Sequence, residues 1–172
     1  VSTWSGKVYL ILGASLGASS SIDLATADYS FIGEGAYNLS GASVSTAGDV
    51  DGDGLDDILI GAVGNSDGAN WAGKTYLVLG KSLGSSSTID LATADYAFVG
   101  EGASDYSGHD VSTAGDVDGD GLDDILISAH YNDEGGTHAG KVYLILASSL
   151  GSSSTIDLSA ADYSFVGESG SD

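Results

Sequence analysis

The stretch AGDVDGDGLDDILI occupies residues 47–60 and returns unchanged at residues 114–127. Each copy places five aspartates close together: Asp49, Asp51, Asp53, Asp56 and Asp57 in the first, Asp116, Asp118, Asp120, Asp123 and Asp124 in the second. Like charges that near one another repel unless a counter-charge holds them. Counted from Asp49, carboxylates fall at positions 1, 3, 5 and 9 (Asp49, Asp51, Asp53, Asp57), and glycines at 4 and 6 let the chain curl. Position 7 offers the main-chain carbonyl of Leu55; Asp116, Asp118, Asp120, Leu122 and Asp124 repeat the order. The donors are all oxygens, which suits a hard cation. Calcium accepts about 6 to 8 oxygens in a flexible shell, whereas magnesium demands a near-ideal octahedron, so the spacing predicts calcium, two ions per chain. An EF-hand is excluded, because position 12 is Ile60 rather than a bidentate Glu and the run that follows is strand-like.

Working outward, the loop is one part of a larger repeat. GKVYLILG at 6–13 returns as GKTYLVLG at 73–80 and GKVYLILA at 140–147; YSFIGEG at 29–35 returns as YAFVGEG at 96–102 and YSFVGES at 163–169. The period is 67 residues, and 47 of the 67 positions are identical between 6–72 and 73–139. The differences concentrate at 37–43 and 61–71, windows expected to be exposed loops. Within a period, GKVYLILG, YSFIGEG, ASVSTAGDV and DDILIGA each read as a short strand. GKVYLILG is apolar at both phases of its alternation, which suits a strand covered on both faces. In SIDLATADY, Asp23 is placed to cap a single helical turn.

Four strands per near-identical repeat predict an all-β fold of four-stranded antiparallel β-propeller blades. The hexa- and nonapeptide repeats of parallel β-helices are too short to fit. The organisation reads as a half blade at 1–38 (third and fourth strands), a full blade at 39–105 with loop 49–57, and a full blade at 106–172 with loop 116–124. About two and a half blades leave an incomplete ring, since propellers use about 4 to 8. The open end strands are therefore expected to recruit further blades or copies of the same chain, as a ring or a fibre.

Composition bounds the partners. The net charge of −21 comes from 25 acidic residues against four lysines, so nucleic acid and anionic membrane surfaces are excluded as partners. No apolar run approaches the length of a membrane span, so no membrane insertion is expected. Cysteine is absent, which leaves metal rather than disulfides to brace the loops. His109 and Asp110 are adjacent and near Ser107 and Ser112, but the preceding repeat has Ala42 and Ser43 there, so loop variation is the reading and not a catalytic triad. His130 and His138 are read as loop residues. Trp4 and Trp71 share one repeat position and are read as packing over a hairpin, with a protein or glycan contact as the lesser alternative.

The combination SGASVSTAGDVDGDGLDDILIGA (40–62), GKTYLVLG and FVGEG resembles the FG-GAP repeat of integrin α-subunit β-propellers, and more closely the tandem copies in bacterial surface and secreted proteins. The resemblance covers almost the whole chain. It departs where Gly61-Ala62-Val63 and Ser128-Ala129-His130 stand in place of Gly-Ala-Pro. It implies one blade per repeat, with calcium in the loop between its first two strands. The implied ligands are Asp49, Asp51, Asp53, the Leu55 carbonyl and Asp57, then Asp116, Asp118, Asp120, the Leu122 carbonyl and Asp124. The expected function is a non-catalytic, calcium-binding structural or adhesive module of an extracellular or cell-surface protein. The alternative is a non-catalytic accessory propeller of a secreted hydrolase or lyase.

Overall fold

Sheets that are apolar on both faces must stack, and the stacking organises this chain. A computed structural model describes residues 2–17, 20–84 and 86–170. In chain order the strands are β1 (Lys7–Leu10), β2 (Tyr29–Ile32), β3 (Ser40–Gly48), β4 (Asp57–Ala62), β5 (Lys74–Val78), β6 (Thr88–Asp90), β7 (Tyr96–Val99), β8 (Val111–Gly115), β9 (Asp124–Ala129), β10 (Lys141–Ile145), β11 (Thr155–Asp157) and β12 (Tyr163–Val166). They form three sheets, ordered β1-β2-β6, β11-β7-β5-β4-β3 and β12-β10-β9-β8. Within each blade the neighbours run antiparallel, as expected.

The sequence reading missed one strand. The Thr-Ile-Asp segment of each full repeat leaves its own blade and adds a parallel strand to the blade before it: β6 beside β2, with Ile89 opposite Phe31, and β11 beside β7, with Ile156 opposite Phe98. Directly after it comes the expected turn, a single 3₁₀ turn. Asp23, Asp90 and Asp157 cap these turns by accepting the N–H of Ala25, Ala92 and Ser159. Asp28, Asp95 and Asp162 each tie the end of one strand to the start of the next by accepting the Leu12, Leu79 and Leu146 N–H. Many of the excess carboxylates are thus structural acceptors.

The alternation of β4 and β5 sorts their side chains between two cores. Ile60, Ala62, Tyr76 and Val78 face the half blade, where they bury Phe31 and Leu91. Leu59, Leu77 and Leu79, with Phe98 of the same sheet, face the last blade, where they meet Ile125, Ile127, Tyr143 and Leu158. Every residue of β5 is buried.

Each seam is pinned by one acidic group. Glu34, just after β2, accepts from Lys74 Nζ at 2.8 Å, Tyr76 Oη at 2.7 Å and Asn65 Nδ2 at 2.9 Å in the next blade. One repeat on, Glu101 accepts from Lys141 Nζ and Tyr143 Oη, both at 2.7 Å. Asp67 and Glu134 complete the lysine pairs at 2.7 and 2.6 Å. Burial alone would lower Lys74, but its hydrogen bonds to Asp67 and Glu34 outweigh that and raise it above the ordinary 10.5. Burial, then Glu34, raises Tyr76 above 10.0. The Lys74 hydrogen bond holds Asp67 below 3.8.

The two variable windows are not simply exposed loops, which corrects the sequence reading. Asn38, Ser40, Gly61, Ala62 and Asn65 are buried at the seam. Gly61 is required there, because a Cβ would lie 2.0 Å from the Gly108 carbonyl oxygen. Among the described residues, no helix is long and apolar enough to cross a membrane.

Tyr76→Phe is expected to cost about 1.5–3 kcal/mol, the worth of a hydrogen bond to a charged group. Lys74→Met is expected to cost about 2 kcal/mol, less than the ~3–5 of a fully buried pair because the Glu34 side chain keeps 20% exposure. Urea denaturation measures both. Lys74 and Tyr76 bind their protons more tightly when folded, so their contribution is complete below pH 10.0 and is lost as pH rises through the folded values. The Asp67 contribution runs the other way and is lost as pH falls below 3.8. Alkaline melts of the wild type against Tyr76→Phe check the first sign.

Candidate metal centres

The acidic loops connect β3 to β4 and β8 to β9, at equivalent ends of their blades. Gly52 and Gly54, at φ 74° and 86°, curl the first loop; Gly119 and Gly121, at 82° and 93°, curl the second. Such left-handed positions admit glycine at little cost, and they turn alternate side chains inward. In the first loop, Asp49, Asp51 and Asp57 bring one carboxylate oxygen each to within 4.8 Å of one another. In the second, Asp116, Asp118 and Asp120 do so.

The backbone supports this crowding. In the first loop, Asp49 accepts from the N–H groups of Asp53 at 3.0 Å and Gly54 at 2.8 Å, and Asp53 accepts from Leu55 at 2.9 Å. In the second, Asp116 accepts from Gly119, Asp120 and Gly121, and Asp120 accepts from Leu122. The carboxylates at loop position 9 do something more. Asp57 is fully buried and accepts from Val50 N–H at 2.9 Å and Gly80 N–H at 2.8 Å, tying the loop to the turn after β5. Asp124, equally buried, accepts from Val117 and Ala147. Burial raises Asp57, assisted by Asp51 and Asp53 and opposed by the two amides.

The two sites differ in their surroundings. Lys81 sits against Asp51 in the first, whereas the equivalent residue beside the second loop is Ser148. A link across the seam joins the loops: Asp49 N–H donates to Asp123 Oδ2 at 2.9 Å, and Asp123 N–H donates to the Asp49 carbonyl at 3.1 Å. Asp123, the eighth residue of its loop, was not among the residues that the sequence singled out as site-forming.

Of the ten expected ligands, the structure converges three in each loop. Asp53 stands outside the first trio, capping Leu55, and Asp124 stands outside the second, where it anchors the loop. Leu55 and Leu122 follow the glycines at the outer bend. Three or more oxygen donors on a curled, glycine-hinged loop could hold a divalent cation, and an all-oxygen set matches a hard ion.

A second cluster, which the sequence reading treated as unrelated loop residues, lies in the β4–β5 and β9–β10 loops and the connection into β8. His109 and His130 rings stand 3.9 Å apart, His130 and Tyr131 4.1 Å, and Tyr131 and His138 4.6 Å. Tyr106 joins this row to Trp71 at 5.7 Å. Burial, then the His109 charge, lowers His130. His109 pairs with Asp110 at 2.9 Å, while the Ser112 hydroxyl is spent on the Thr113 carbonyl.

Blades with an acidic loop between their first two strands define an all-β, partial propeller of acidic-loop repeats. Residues 40–78 and 107–145 match the FG-GAP repeat, so the chain carries two FG-GAP repeats. Over 116 residues, 64% of its length, it is 35% identical to integrin alpha-PS2 of Drosophila melanogaster, of which the match spans 8%.

Asp57→Ala strands two N–H groups at a buried position, each costing about 1–3 kcal/mol, so a loss of about 2–6 kcal/mol is expected in metal-free buffer. Asp53→Ala, at an exposed position, should stay within about 0.5 kcal/mol there. Chemical denaturation in chelator separates the two.

Proposed function

We propose that the chain is a calcium-braced, non-catalytic β-propeller repeat module of an adhesion-type extracellular or cell-surface protein. Each loop takes one calcium ion, on Asp49, Asp51, Asp53, the Leu55 carbonyl and Asp57 in the first and on Asp116, Asp118, Asp120, the Leu122 carbonyl and Asp124 in the second. The observation that carries this reading is the convergence of three carboxylate oxygens within 4.8 Å in each loop. Likeness to an integrin α chain supports the extracellular setting. Small rearrangements of Asp53 and Asp124 complete the two shells. Lys81 moves off Asp51 when the ion enters, so the first site binds more weakly than the second. The ring row from Trp71 to His138 is the surface we assign to contact with a protein or glycan partner.

Calcium at about 100 times its Kd adds ~2.7 kcal/mol per site, so the melting temperature is expected to rise on addition of calcium and fall in chelator. Asp53→Ala and Asp120→Ala each remove one site's share of that rise, and Lys81→Ala tightens the first site. Calorimetric titration and melting curves test this. A melt that is the same in calcium and in excess chelator overturns the reading.

A further inference from the structure

We propose that the seam between the two full blades is an acid-strengthened joint, in which Asp105 takes up a proton that its counterpart in the preceding seam, Asn38, cannot.

The two seams are near-copies, so their differences stand out. In the first, Glu34 receives three donors: Lys74 Nζ, Tyr76 Oη and Asn65 Nδ2. In the second, Lys141 and Tyr143 still donate to Glu101, but the Asn132 amide turns away and donates to Asp105 Oδ2 at 2.6 Å. Two carboxylates there share what one receives in the first seam. The 67-residue period makes Asp105 the counterpart of Asn38 and Asp133 that of Ser66. The second seam therefore carries two more acidic groups, and its one lysine, Lys141, is already shared between Glu101 and Glu134.

Asp105 is 6% exposed, whereas the Glu101 side chain keeps 24%. The ionised form of Asp105 has lost more hydration, so the proton that this pair takes up goes to Asp105. Its own connection supplies Glu101 beside it, the β9–β10 loop supplies Asn132 and Asp133 with Glu134 at Lys141, and β10 supplies Lys141 and Tyr143. Burial raises the Asp105 carboxyl above the ordinary 3.8; the Asn132 amide opposes that, Glu101 and Asp133 add to it, and Lys141 opposes it last. Lys141 and Tyr143 both hold their protons more tightly than usual, so neither titrates in acid.

Once protonated, Asp105 no longer repels Glu101 and offers an O–H donor at a seam that lacked one. Because its proton is bound more tightly in the folded chain, the seam is weakest above the folded value and gains strength as pH falls through it toward 3.8. Asp67 in the first seam runs the opposite way.

Asp105→Asn restores the amide of the first seam, and Asn38→Asp places the carboxylate there. Thermal melts of both and of the wild type in chelator, where no loop metal contributes, test the joint whether or not the loops take calcium. Near neutral pH, Asp105→Asn is expected to melt about 2–4 °C above the wild type, the displacement of a typical single change in a chain of this length. The two are expected to converge as the pH approaches that of an ordinary carboxyl. Asn38→Asp is expected to melt below the wild type near neutrality and to recover in acid. His109, His130 and His138 titrate alike in all three chains and drop out of the differences. A local readout comes from the N–H groups of Tyr106 and Ser107, which donate across this seam to the Trp71 and Ala72 carbonyls at 3.2 and 2.8 Å. Corrected for intrinsic exchange rates, their hydrogen-exchange protection relative to Asp105→Asn is expected to rise as the wild type is acidified. An Asp105→Asn chain no more stable than the wild type near neutrality overturns the proposal, as does a difference that persists unchanged into acid or protection that follows pH equally in both.

Discussion

A four-stranded sheet with apolar side chains on both faces cannot exist alone in water, and this one constraint explains most of the molecule. β4 and β5 send alternate residues to opposite cores, so neither core forms without a neighbour on that side. The Thr-Ile-Asp strands strengthen the dependence, because each sits in a sheet to which its own repeat does not otherwise belong. Stability in such an array comes chiefly from the interfaces between units.

The seams combine apolar burial with one charge-assisted cluster each. A glutamate from one blade is met by a lysine and a tyrosine from the next, so a largely buried carboxylate is never left without donors. The geometry is directional: glutamate always points forward along the chain and the Lys-Tyr pair always points back.

The acidic loops solve a different problem by a related means. Backbone N–H groups, turned inward by left-handed glycines, supply partial positive charge to carboxylates that would otherwise repel one another. The position-9 aspartates extend this by joining loop, second strand and the turn after the third strand. A cation entering the loop would therefore act on a hairpin already held in outline, and the Asp49–Asp123 link would pass its effect to the next blade.

The sequence alone determined the repeat, the antiparallel strands, the capped turn at Asp23 and the placement of the acidic loops, because period, alternation and glycine spacing are local properties. It read GKVYLILG at 6–13 as covered on both faces, but β1 there is exposed or half-buried, whereas all five residues of the equivalent β5, which has a blade on each side, are buried. Only the tertiary structure decided which partner each group meets. Thr-Ile-Asp is too short to declare itself a strand and becomes one only against the preceding blade. Asp57 and Asp124 carry the same letter as their loop neighbours, yet they are buried anchors because distant amides converge on them. Nor could spacing show that Asp123 reaches back to Asp49 or that four rings line up from His109 to His138. Those facts depend on contacts between repeats, and a linear pattern records such contacts only when both sides are already folded.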